Sequence, residues 1–340
     1  MLLVAALLTL AQAGTVERIQ VHGRSLEGNL IGDAPDRGVH VYLPPSYAKS
    51  KSRRYPVVYF LHGFTDSDAK WFGTAGKHWI HLPQTLDKAL ANAAVKEMIV
   101  VMPNADNAFF GSMYSSSVTI GDWETFVARD LVAYVDGHYR TLAAPESRGL
   151  AGHSMGGYGT LRIGMRHPDV FSVLYALSPC CMSPNLAAGE RWARLAAVKS
   201  REDLAKADFG TKAAFASAAA WSANPAQPPF YVDLPWKDGQ FDGAVGAKWQ
   251  ANAPLVELDQ HLGSLRGLRG VALDAGDKDG SITVTTRTLH DLLDQHKVPH
   301  FSEIYPGDHL SGIAGRIETK VMPFFSERLV SKPPGKAKSR

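Results

Sequence analysis

Apolar and polar positions along this chain fall into short blocks whose period switches between two and about 3.6. Residues 39–43 alternate, and Pro44-Pro45 stops them, which predicts an early antiparallel strand. Residues 56–61 are a continuous apolar run, the mark of a strand covered on both faces. A helix is expected over 83–94, then a second buried strand over 98–102, closed by Pro103. Asp122 can cap a helix whose apolar positions Trp123, Phe126, Val127, Leu131, Tyr134 and Val135 recur at helical spacing. An apolar approach then ends at Ser154, with a helix predicted to about His167 and a strand over 173–177. The alternation breaks over about 183–267, where Trp192, Trp221, Trp236 and Trp249 are interspersed with prolines. It resumes with a strand over 271–275, a helix over 283–296, a strand over 301–305 and a last helix over 313–329. Strands alternating with helices predict an α/β fold: a mostly parallel sheet flanked by helices on both faces. The broken stretch is expected to be a cap inserted over the carboxyl edge of the sheet, where open α/β sheets bind ligands. The competing expectation is a helical excursion packed on the side, with its tryptophans as core.

Composition narrows the class. The chain has 340 residues, 45% hydrophobic and 20% charged, enough for one large domain, here 14–330. A formal net charge of +3 is too small to imply a nucleic-acid partner, and part of it sits in the basic tail 331–340, expected to be disordered. Residues 2–10 are apolar and Ala11-Gln12-Ala13 follows, which reads as a signal peptide over 1–13 and a secreted or periplasmic protein. That apolar run is too short to span a bilayer, so no integral membrane segment is expected in the mature chain. The two cysteines, Cys180 and Cys181, are adjacent and are read as buried small hydrophobes.

Chemistry concentrates around Gly152-His153-Ser154-Met155-Gly156, a G-x-S-x-G pentapeptide between a strand and a helix. Such a turn raises a serine hydroxyl above the sheet in α/β-hydrolases, and small residues two positions either side let the backbone fold tightly. A serine hydroxyl needs a histidine to take its proton and a carboxylate to orient that imidazole, in the chain order Ser, acid, His. Past the strand at 271–275 lies Gly276-Asp277-Lys278-Asp279-Gly280, with two acids. Past the strand at 301–305 lies Pro306-Gly307-Asp308-His309, which places His309 as the base. An oxyanion hole needs two backbone N–H groups. Met155 supplies one candidate, and the loop His62-Gly63-Phe64 supplies the other from Phe64. His78 and His81 are spaced to share a helical face and are read as structural; no metal and no cofactor is implied.

With these motifs in place the chain resembles the esterase D / feruloyl esterase / antigen 85 family of α/β-hydrolases. The resemblance is carried by Val41-Tyr42-Leu43-Pro44-Pro45-Ser46-Tyr47, Tyr55-Pro56-Val57-Val58-Tyr59-Phe60-Leu61-His62-Gly63 and Gly152-His153-Ser154-Met155-Gly156-Gly157-Tyr158-Gly159. The acid and histidine loops continue it, and the opening section is also similar to enterochelin-esterase-like members. The resemblance implies the G-x-x-D acid at Asp279, with Asp277 as runner-up and Asp274 disfavoured inside its strand. It matches the oxyanion donors to Phe64 and Met155. It implies a serine carboxylesterase on a small-molecule or polymer-linked ester, of hydroxycinnamoyl type, with antigen 85-type acyl transfer or siderophore ester hydrolysis as alternatives. A non-catalytic binding protein is disfavoured because all three triad members are present. Trp71 and the cap tryptophans are candidates either for stacking on an acyl group or for plain packing.

Overall fold

The computed structural model describes residues 13–332 apart from 185 and 187–189, so the expected leader up to residue 12 and the tail from 333 lie outside the described residues. Eight strands make the main sheet: β1 (Thr15–His22), β2 (Asp36–Leu43), β3 (Val57–Leu61), β4 (Ile99–Pro103), β5 (Arg148–His153), β6 (Val173–Leu177), β7 (Gly270–Gly276) and β8 (Phe301–Tyr305). Their spatial order is β1-β2-β4-β3-β5-β6-β7-β8. β2 pairs antiparallel with β1 and β4, and every pairing from β4 to β8 is parallel.

The period of two explains how both faces are covered. Val57, Tyr59 and Leu61 of β3, with Ile99 and Val101 of β4, pack with Phe126, Leu131 and Val135. Those last three belong to a helix from Trp123 to His138 that passes through a π-helical turn at Phe126–Asp130. The alternate positions Val58, Phe60, Val100 and Met102 face the other way, onto Leu82, Leu86, Ile317 and Phe325. These come from the helix Leu82–Ala91 and from the C-terminal helical run ending at Arg328. A strand whose successive side chains enter two different cores must be apolar throughout, which is why these runs carry no alternation.

The structure departs from the sequence expectations at several elements. β1 was absent from the expected strands, because its outer positions are mostly exposed and its apolar signal is thin. The helix expected at 83–94 ends at Ala91. His78 lies in a loop and His81 caps the helix Leu82–Ala91, its Nδ1 accepting from Gln84 N at 3.4 Å, so the two share no helical face. The stretch after β6 is helical, with Phe209–Trp221 its longest helix. It does two things. Phe209 packs edge-on against Phe64 at the strand ends, ring centroids 5.4 Å apart. Further on, Leu258 and Leu265 pack beside Leu161 and Met165 on the flank of the sheet.

Candidate active site

The carboxyl ends of the parallel strands bring the predicted residues to one edge. Ser154 follows β5 directly, with φ 58° and ψ −116°, a conformation that costs a non-glycine residue energy and persists only where its surroundings enforce it. Those surroundings are two glycines. A Cβ on Gly152 would lie 2.3 Å from the Gly156 carbonyl oxygen, and one on Gly156 would lie 2.0 Å from the Leu61 oxygen. The helix Met155–Arg166 therefore starts hard against β3, with Ser154 at its N-cap.

The register of β3 on β5 sets Leu61 opposite Gly152, so the loop after β3 lands beside the serine. The Cβ position of Gly63 is 3.5 Å from Ser154 Cβ. His62, fully buried, braces this loop: its Nδ1–H donates to Gly63 O and its Nε2 accepts from Ala105 N, both at 2.8 Å. Neither the Phe64 nor the Met155 N–H is bonded to another group among the described residues. Met155 is also the first residue of a helix, where the free N–H groups and the dipole favour negative charge.

Of the acids, Asp279 is the one brought to the histidine. His309 Nδ1 and Asp279 Oδ2 are 2.9 Å apart, with the carboxylate side chain 6% exposed and the imidazole 35% exposed. Asp277 turns away and accepts from Gly307 N at 2.9 Å, tying the two loops together. Asp274 lies within the sheet, taking the Tyr175 hydroxyl at 2.8 Å and Arg316 Nε at 2.7 Å; burial pushes its pKa up to about 6. Asp308 caps the turn after the histidine, accepting from Ser311 Oγ and from the Leu310 and Ser311 amides. These bonds hold its pKa down at about 2.

His153 is a contributor the sequence reading did not single out, beyond its place in the pentapeptide. It is the last residue of β5, directly before Ser154. Its Nε2–H donates to the His309 carbonyl at 2.8 Å, and the two imidazole rings are 4.7 Å apart. It thus ties the elbow to the histidine loop. Burial, and then the neighbouring His309, push its pKa down to about 3. Between that value and the ordinary histidine value, the unfolded chain binds a proton that the folded chain refuses. Stability should therefore fall as pH drops through this window, by about 2–3 kcal/mol per two pH units. Urea titrations at pH 6.5 and 4.5 should show this acid loss in the native chain and a smaller one in His153→Asn. Equal losses in both would remove His153 as the cause.

Trp71 is not available for stacking: it is fully buried, donates its Nε1–H to Asp66 Oδ2 at 2.7 Å, and packs on Phe60. Trp221 and Trp249 are likewise packed core of the insertion, each donating to a serine hydroxyl. The exposed aromatics near the site are Trp79, 38% exposed and 5.5 Å from the His153 ring, and Phe209, 65% exposed against Phe64. The cysteines also depart from expectation. Both are half-buried, their Sγ atoms meet at 2.7 Å, and Cys180 N donates to Ser154 O at 3.2 Å.

Among the described residues, one group has the composition to hold a metal ion: His290, Asp294 and His300. His300 precedes β8 and His309 follows it, so this group sits at the opposite end of that strand from the serine site. A cavity of about 650 Å³ lies inside the insertion, between Leu195, Phe215, Phe230 and Trp236, and shares no lining residue with Ser154, Asp279 or His309. No helix among the described residues is long and apolar enough to cross a membrane.

A helix-flanked parallel sheet with a strained serine at the end of its fifth strand defines the α/β-hydrolase fold. The chain belongs to the esterase family described as "Putative esterase", whose model matches residues 34–312. It is 32% identical over 161 residues to the esterase Rv1288 of Mycobacterium tuberculosis, a match spanning 46% of this chain and 32% of that one. It is 34% identical over 144 residues to an endo-1,4-beta-xylanase/feruloyl esterase of Xylanibacter ruminicola, across 41% of this chain and 19% of the relative. The chain thus spans a third or less of the length of these curated relatives. In structure it is similar to a ferulic acid esterase at TM-score 0.66 and 20% identity, covering 94% of this chain and all of the other. It is also similar to the S-formylglutathione hydrolase FrmB of Staphylococcus aureus, at TM-score 0.60 and 15% identity, covering 92% and 99%.

Proposed function

We propose that this chain is a serine carboxylesterase in which Ser154, His309 and Asp279 form the triad and the Phe64 and Met155 amides form the oxyanion hole. The observation that carries the reading is the 2.9 Å contact between His309 and Asp279 at the same sheet edge as the strained Ser154. His309 takes the Ser154 proton as Oγ attacks the ester carbonyl, and the two amides bind the oxyanion of the tetrahedral intermediate. The same histidine then protonates the leaving alcohol. Water, deprotonated by His309, adds to the acyl-enzyme, and collapse of the second tetrahedral intermediate releases the acid and the Ser154 hydroxyl. Asp279 keeps the Nδ1–H tautomer throughout and stabilises the imidazolium.

The acyl group is proposed to be hydroxycinnamoyl. This is supported by the exposed Phe209 and Trp79 rings and by relatives named for feruloyl ester cleavage. The purified chain should hydrolyse methyl ferulate with a kcat/KM about tenfold or more above that for a p-nitrophenyl ester of a long alkyl acid. A preference for the alkyl ester would overturn the acyl assignment. Failure on every carboxylic ester would overturn the activity itself. Work outside the cytoplasm is part of the same proposal and is supported by the Ala11-Gln12-Ala13 site; N-terminal sequencing of exported protein should begin at Gly14.

A further inference from the structure

We propose that Cys180 and Cys181 are a thiol/disulfide modification site built into the wall of the serine site. The site would take small-molecule disulfides, and its oxidation would slow the reaction of Ser154. The inference rests on the assignment of Ser154 as nucleophile. Its physical basis is separate from the triad.

The loop after β6 is wound tightly enough to present both thiols together. Ser178 and Cys181 have positive φ, 41° and 62°, and Cys180 is held by its amide to the Ser154 carbonyl at 3.2 Å. In this arrangement the two sulfurs meet at 2.7 Å, one residue beyond the amide that holds the Ser154 carbonyl. Two thiols already in contact lose little further freedom on closing a bond. Consecutive Cα atoms are only about 3.8 Å apart across a trans peptide, shorter than a relaxed disulfide prefers, so the closed form is strained and readily reduced. Strained, accessible disulfides are the labile, regulatory ones. A structural staple would be built the other way.

The two sulfurs are not equivalent. Hydrogen bonding to Cys181, and then burial, push the Cys180 thiol well up, so Cys180 is the poorer first attacker. Cys181 therefore attacks one sulfur of the small disulfide, breaking its S–S bond and releasing one thiol. Cys180 then attacks the Cys181 sulfur of the mixed disulfide, releasing the second thiol and closing the Cys180–Cys181 bond. Both protein thiol protons leave with the two released thiols, so the small disulfide is the oxidant and is reduced. Closure twists the segment whose amide holds the Ser154 carbonyl.

The test is clean because the chain has no other cysteine. Full-length protein is incubated with oxidised glutathione, then read by thiol titration, intact mass and rate of labelling by a fluorophosphonate. The expected result is loss of both thiols, a mass lower by two hydrogens with no adduct, and a several-fold slower labelling rate restored by dithiothreitol. Cys181→Ser should form no internal bond and show no such reversible slowing. Stable glutathione adducts, disulfide-linked dimers or two unreacted thiols would overturn the site. Disulfide closure with unchanged labelling would overturn its effect on Ser154. Should the reduced protein fail to label at all, the fault lies with the nucleophile assignment, while the thiol readout still stands.

Discussion

Ser154→Ala should reduce ester turnover by about 10⁶-fold in kcat while leaving KM nearly unchanged. The size follows from what is removed. Without the hydroxyl no acyl-enzyme can form, and His309 and Asp279 have nothing to deprotonate, so their contributions vanish with it. What survives is the oxyanion hole and substrate binding, which in triad enzymes leave a residual of about 10³-fold over water. The fold should survive as well, because alanine keeps the Cβ that the turn already accommodates and the two glycines that enforce the turn are untouched. The measurement is turnover of methyl ferulate by variant and native chains with matched circular dichroism, alongside fluorophosphonate labelling. A variant that keeps more than a trace of activity, or still labels, would place the nucleophile elsewhere.

Much of this site is legible in the amino-acid sequence, and the reason is geometric. β3, β4 and β6 were legible because strands with a core on each side have to be apolar at every position, and such runs stand out. The catalytic candidates were legible because a parallel sheet delivers its loops to one edge, so a Ser after β5, an acid after β7 and a His after β8 converge. β1 failed the same reading because, as an edge strand with exposed outer positions, it needs few apolar residues. His153 was hidden because its role is set by the His309 carbonyl, a contact between residues 156 apart in sequence. The thiol pair was hidden for a similar reason. An apolar run before Cys180 looks the same whether the two sulfurs separate into the core or meet each other. Trp71 misled in the other direction: proximity in sequence to the Phe64 loop says nothing about the buried Asp66 that holds its indole.

The choice of acid is where sequence chemistry alone stayed open, and it gives the last expected result. Asp279→Asn should lower kcat by about 10⁴-fold with little change in KM, whereas Asp277→Asn should stay within about threefold of the native chain. An asparagine at 279 is the right size, yet its amide can also donate, so His309 can settle in the tautomer that presents N–H rather than a lone pair to the serine. It also carries no charge to stabilise the imidazolium as the proton transfers. At 277 the same change is benign, because the asparagine carbonyl can still accept from Gly307 N and the link between the acid and histidine loops persists. Asp274 cannot substitute, held as it is by Tyr175 and Arg316 inside the sheet. Rates for both variants, with thermal midpoints to check folding, decide the matter. If Asp277→Asn carried the large loss and Asp279→Asn did not, the loop would have to rearrange in solution and the 2.9 Å contact would not be the working pair.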